Sequence, residues 1–298
     1  MAIQRISNVS LFNSTIRNIG STQQSLYDLQ QQISSGIKAT DFRGLNGQVE
    51  QFVGLEAQLR KLELFQQNNS VIESRLKIAN QSMDSIVDIV DQMENLMVQR
   101  RSATSDENLN FTLQMRDKLQ AMADALNVTS DGRYLFSGTA TNTKPVPEAI
   151  VTSVTLGVPD DGYYAGSKES VSNRVDSNIE VEFPVRADDP AFQKVFAAVN
   201  LALSSNGEGS IATAIDMIQQ AQTDINSVQA KINSTLINIS QIGDRQSQQK
   251  LYLQGITEEV AKTDIVAATT KVANDQAILQ ASYQVFARLV QLKLSDYL

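Results

Sequence analysis

A seven-residue period, held through two proline-free flanks, constrains this chain more than any other feature. Counted from Leu62, one position of the repeat holds Leu62, Asn69, Leu76, Met83, Val90 and Met97; three residues on come Phe65, Ile72, Ala79, Ile86 and Met93. Ten of these eleven sites are apolar, where a composition of 42% hydrophobic residues would give roughly four or five. A 3.5-residue spacing of this kind is that of a coiled-coil seam, and the lone Asn69 resembles the polar residue that fixes register in one. A helix over about 55–97 would be roughly 60–65 Å long.

The second flank mirrors the first. Ile211, Ile218, Ile225, Ile232 and Ile239 recur every seven residues, with Ala214, Ala221, Val228, Thr235 and Ile242 three further on. The candidate bundle seam is therefore Leu62, Ile72, Leu76, Met83, Ile86 and Val90 against Ile218, Ile225, Ile232 and Ile239. A third helix is expected to begin at the Thr104-Ser105-Asp106-Glu107 capping box and to turn Phe111, Met115, Leu119, Met122 and Leu126 to one face. Three helices with complementary stripes define a mainly α fold: an elongated antiparallel helical bundle or coiled coil.

All five prolines fall between Pro145 and Pro190, and residues 145–210 carry ten acidic and four basic side chains, hence −6 of the net −8. The alternating runs Ile150–Leu156 and Ile179–Phe183, with turns at Pro159-Asp160-Asp161-Gly162 and Asp188-Asp189-Pro190, read as a small, exposed, β-rich acidic insertion. The expected organisation is an N-terminal assembly helix and link over 1–52, a central bundle over 53–144 and 208–254 with a β-hairpin near 128–140, the insertion over 145–207, and a C-terminal link and helix over 255–298.

Composition removes several functions. A net charge of −8 with no Lys/Arg stripe argues against nucleic acid, which demands clustered cations. The chain has no cysteine and no histidine, so it lacks thiol nucleophiles, thiolate or imidazole metal ligands and the commonest general base. No Gly-x-x-x-x-Gly-Lys loop occurs. Asp160-Asp161 and Asp188-Asp189 read as solvated turns rather than a cation site, and Met83, Met93 and Met97 as seam residues rather than ligands. No enzyme, cofactor or metal is expected. The opening Met1-Ala2-Ile3-Gln4-Arg5 lacks the blocks of a cleavable signal peptide, and no run of about 18 apolar residues offers a membrane span.

Both chain ends repeat the period more weakly. Phe12, Ile19, Leu26 and Ile33 are spaced by seven, with Leu29 between; Ile265, Val272, Leu279 and Phe286 do the same at the other end, joined by Leu289. Links poor in helix signal, Gly36–Gly47 and Gly255–Thr263, set these segments apart. The plainer reading makes them core helices of one monomer. The alternative is that they stay mobile in the monomer and fold against neighbouring copies, as marginally stable amphipathic segments do. A membrane-surface helix fits less well, because the polar faces lack Lys and Arg.

Those ends carry a resemblance. Arg5-Ile6-Ser7, then Leu26-Tyr27-Asp28-Leu29-Gln30-Gln31-Gln32-Ile33-Ser34-Ser35-Gly36, resemble the N-terminal signature of the bacterial flagellin family, and Asp264–Leu298, with Gln276, Leu279, Gln280 and Ala281, is similar to its closing helix. The resemblance covers about 1–140 and 208–298. Within the family, Gly132-Arg133-Tyr134-Leu135-Phe136-Ser137-Gly138-Thr139, with Gly132, Arg133, Tyr134, Phe136 and Gly138 as its marked positions, is typical of the member joining hook to filament. The resemblance implies type III export, a cytoplasmic export chaperone, and an extracellular place between hook-associated protein 1 and flagellin, beside further copies of the same chain in a ring. The terminal stripes then become the assembly interface and the seam a stiff element passing torque. A filament flagellin, and a coiled-coil binding protein or adhesin, remain alternatives.

Overall fold

The computed structural model describes residues 2–38, 48–102, 108–147, 157–204 and 208–295. Along the chain run α1 (Ala2–Ser35), α2 (Val49–Ser102), α3 (Asn108–Leu126), β1 (Thr129–Ser130), β2 (Arg133–Tyr134), β3 (Ser172–Asp176), β4 (Ile179–Glu182), α4 (Pro190–Ser204), α5 (Glu208–Ala261) and α6 (Ile265–Ser295). The expected capping box at 104–107 and strand run at 150–156 lie outside the described residues, as does most of the Gly36–Gly47 link. The chain divides into two units, 1–60 with 249–298, and 61–248.

In the 61–248 unit the core follows the seven-residue pattern. Every counted α2 position is buried except Phe65, which is half-buried, and on α5 only Thr235 of the ten is not buried. The α3 face from Phe111 to Leu126 is buried with them. α2 and α5 run antiparallel: Gln219 Nε2 donates to Glu94 (2.7 Å), Gln222 Nε2 to Asp91 (2.7 Å), and Gln66 Nε2 to Ser247 (3.1 Å), so partners rise along one helix as they fall along the other. α2 is well ended for its dipole, with Glu50 in its first turn and Arg100 and Arg101 in its last.

Asn69 does more than interrupt the stripe. Its Nδ2 donates to the Val175 carbonyl (3.0 Å) and to Gln246 Oε1 (3.1 Å), while Gln246 Nε2 donates to the same carbonyl (2.9 Å). Gln246 is the next seven-residue step after Ile239, so each stripe bears its polar residue at the level where strand β3 meets the bundle. Sliding α2 past α5 would strand these amides in an apolar seam, which is how buried polar pairs specify register.

The insertion differs from expectation in two ways. Among the described residues it holds one antiparallel hairpin, β3–β4, with Ser172 opposite Glu182, Arg174 opposite Glu180 and a bulge between Arg174 and Asp176, yet its longest element there is the helix α4. It is also not simply exposed: Tyr163, Val175, Val185, Ala187, Phe192, Val195 and Phe196 join the same core as the seam. Of its described acidic residues only Asp188 is buried, and the apolar Pro190–Ser204 segment supplies the inside. Asp188-Asp189, expected as a solvated turn, is the helix start. Asp189 Oδ1 accepts the Ala191 N–H (3.0 Å) ahead of Pro190 at the first turn, and the buried Asp188 carboxylate takes both nitrogens of the Arg186 fork (2.8 and 3.2 Å). Asp160 does sit in a turn, its Oδ1 accepting the Gly162 N–H (3.0 Å).

Two neighbouring tyrosines make this region sensitive to alkali. Burial, reinforced by Asp188 and the other nearby carboxylates, holds the Tyr163 phenol well above its ordinary value, and burial with Asp188 pushes Tyr164 up to about 12. Each donates to a carbonyl, Tyr163 to Ala187 (2.7 Å) and Tyr164 to Ser167 (2.8 Å). Their folded values exceed the unfolded one, so the stability they contribute is complete below about pH 10 and is lost as pH rises through the folded values. Urea midpoints should fall between pH 10 and 12, and Tyr164→Phe should flatten that slope.

In the other unit, α1 ends at Gly36, whose φ of +72° forms a left-handed cap with its N–H on the Gln32 carbonyl (2.9 Å). The chain ends then join by backbone: the Lys38 N–H donates to Ala261 O (2.6 Å) and the Thr263 N–H to Gly36 O (2.9 Å), around an antiparallel bridge between Ile37 and Lys262. The Gly255–Thr263 link expected to be poor in helix is largely helical, since α5 continues to Ala261. One glycine costs a helix only about 1 kcal/mol, and burial of Leu253 and Val260 on either side offsets it. Asp264 then caps α6, accepting the Ala267 N–H (3.0 Å).

Candidate assembly surfaces

The two terminal helices pair with each other. Phe12 stacks on Phe286 with ring centroids 5.2 Å apart, Gln23 Nε2 donates to the Tyr283 hydroxyl (2.8 Å), and Ser25 Oγ donates to the buried Asp275 carboxylate (2.8 Å). With the bridge at Ile37, these contacts make α1 and α6 antiparallel. Leu29 is buried; Phe12, Ile19, Leu26, Ile33, Val272, Leu279, Phe286 and Leu289 are half-buried. Ile265 is not brought into the pair, being half exposed in the first turn of α6.

Two helices can bury only one stripe each. α1 still exposes Leu11, Ile16 and Tyr27, and α6 exposes Val266, Ile278, Tyr283, Val285 and Val290, with Val266 at 76%. Counting along the strongest stripe missed these residues. Their signal was present in the 278–290 segment, where apolar residues fall on more than one face. A helix apolar on several faces needs several neighbours.

The Gly132–Thr139 element is a second constructed feature. Asp131 and Gly132, at φ 52° and 73°, form the two-residue turn between β1 and β2, both left-handed as a primed hairpin turn requires. Arg133 is exposed, Tyr134 half-buried and Phe136 fully buried. The backbone beyond the hairpin is stitched to the insertion: Ser167 N–H to Ser137 O (2.9 Å), Thr139 N–H to Glu169 O (3.0 Å) and Ala187 N–H to Phe136 O (2.8 Å). Gly138 permits this approach. Its φ is +59°, and a Cβ there would lie 2.2 Å from the Ser167 carbonyl oxygen and 2.6 Å from that of Glu169. Gly138→Ala should therefore cost at least about 2 kcal/mol, left-handed strain and backbone displacement together, read as a lower urea midpoint.

Among the described residues no group of three or more Asp or Glu side chains is placed to hold a metal ion, and no helix is long and apolar enough to cross a membrane.

Residues 6–141 match the family model of the bacterial flagellin N-terminal helical region. Over that stretch, a little under half of its length, the chain is similar to the bacterial flagellin family. Solved structures share its fold. A flagellar hook-associated protein from Vibrio parahaemolyticus superposes with a TM-score of 0.59 at 14% identity, covering 71% of this chain and 96% of its own. FlgL of Bacillus cereus does so at 0.58 and 16%, covering 68% and 98%. No curated protein matches the chain in sequence.

Proposed function

We propose that this chain is the adaptor at the hook–filament junction, of the hook-associated protein 3 type, joining hook-associated protein 1 on one side to flagellin on the other. The observation that carries the reading is the terminal helix pair: both chain ends zip together by backbone and Phe12–Phe286 stacking, yet keep apolar side chains on their outer faces. Such a pair is a half-finished interface, completed by neighbouring subunits. Phe12, Ile19, Leu26, Leu29, Ile33, Val272, Leu279, Phe286 and Leu289 hold the pair together, and the exposed residues beside them meet the neighbours. The seam around Leu76, Met83, Ile86 and Val90 keeps the bundle stiff enough to pass torque. A cytoplasmic chaperone covers α6 before type III export, and copies of the chain close a ring. The likeness in fold to hook-associated proteins supports the junction over the filament.

Immunogold electron microscopy of intact flagella, with polyclonal antibody raised against the whole chain, tests this. A single band between hook and filament is expected. Label along the whole filament would make the chain a filament flagellin, and label away from flagella would reject the reading.

A further inference from the structure

A small notch opens where the β1–β2 hairpin, α2 and the β3–β4 hairpin meet. Its walls include Ile72, Leu135 and Phe183, with Arg75 and Arg133 beside them, and its volume is about 40 Å³. That is room for one or two water-sized groups, so the notch admits the head of a side chain and not a peptide. Arg75 is anchored loosely. One guanidinium nitrogen lies 3.8 Å from Asp131 Oδ2, on a carboxylate that is 74% exposed, while its Nε is buried without a hydrogen-bond partner among the described residues. A buried donor left without an acceptor is unfavourable, and a guanidinium fork is matched best by a carboxylate.

The β3–β4 hairpin carries one exposed candidate for that carboxylate. Side chains alternate between its faces. Asn173 and Phe183 line the notch, whereas Ser172, Arg174, Glu180 and Glu182 are exposed on the opposite face. Glu180 is engaged by Arg174 at 2.8 Å; Glu182 makes no ion pair among the described residues. One hairpin therefore carries a cationic socket behind it and a spare carboxylate in front. The chain cannot fold the second into the first, but a neighbouring copy can supply it. Unlike patches meeting between identical chains make a heterologous contact, the kind that propagates around a ring.

We propose that the notch at Arg75 and Arg133 seats Glu182 of an adjacent copy of this chain, linking subunits head to tail. The inference rests on the flagellar reading only in that copies adjoin one another, and it holds equally for a ring at the junction or for a filament.

The test uses the full chain as the sole copy in flagellated cells, with a photo-crosslinking benzoylphenylalanine at Tyr134, on the notch wall. Irradiated flagella should yield a homodimer whose cross-linked peptide includes Glu182. Glu182→Arg should lower the dimer yield about tenfold, and the double variant Glu182→Arg/Arg133→Glu should restore it, because every copy then carries both reversed partners. Both sites are exposed, so circular dichroism should show each variant folded. Cross-links to a different flagellar subunit, undiminished dimer in Glu182→Arg, or a double variant no better than the single would overturn the proposal. Labelling by immunogold in the same cells reports the junction reading separately, since a filament-wide pattern removes that reading without altering the dimer result.

Discussion

Phe196→Ala is expected to destabilise the 61–248 unit by about 3–5 kcal/mol, the range for emptying a large aromatic from a packed core. Phe196 is 1% exposed and its ring centroid lies 4.1 Å from that of Tyr163, itself fully buried. α4 presents Phe192, Val195, Phe196 and Val199 to the core in successive turns, so the ring sits between insertion and bundle and neither side can collapse into the gap without moving the other. Urea denaturation followed by circular dichroism measures the loss. Were the insertion an exposed ornament, as its acidic composition suggests, the substitution would leave the helical transition where it was; a midpoint unchanged within about 0.5 kcal/mol would reject the shared core.

That contrast shows what the sequence made legible. The bundle could be read because a seam imposes one period over many turns, and positions such as Leu76, Met83, Ile218 and Ile225 have no other use than to be buried. The insertion could not, because its net charge describes its surface while its burial depends on partners far away in the chain. A local signal for α4 did exist: Asp189 followed by Pro190 is a helix start, and reading it as a turn hid the apolar helix behind it. Gly255 misled in the opposite sense, since a single glycine punctuates a helix only when its neighbours fail to pack.

The candidate surfaces divide the same way. Asn69 was visible as the polar break in its stripe, but its partner Gln246 emerges only if the isoleucine period is carried one step further. Gly138 was visible as a motif position, though no sequence pattern reveals that two carbonyls from residues 167 and 169 close over it. The notch at Arg75 was invisible, because it is assembled from three segments whose proximity only folding decides.

Phe286→Asp is expected to remove filaments from nearly all cells, at least about a tenfold drop in filament-bearing hooks, while the 61–248 unit unfolds at its usual urea midpoint. The two outcomes separate because the bundle core runs from Ile72 to Ile242 and, among the described residues, includes nothing from α1 or α6. Phe286 faces Phe12 at 5.2 Å, so a carboxylate there loses the aromatic pair, about 0.5–1.5 kcal/mol beyond simple burial, and places an unpaired charge against an apolar ring. A pair of helices with few buried residues has little stability to spare, Leu29 being, among the described residues, the one large side chain of α1 that is more than nine-tenths buried. Once α1 and α6 part, the outer residues Tyr27, Ile278 and Val285 no longer form a defined surface, and the neighbour contacts proposed for them are lost. Phe286→Leu, which keeps the apolar contact without the stacked ring, should assemble nearly as the parent does. Full-length filaments on cells carrying only Phe286→Asp would mean that the chain ends are not the assembly surface, and that the helix pair serves the monomer alone.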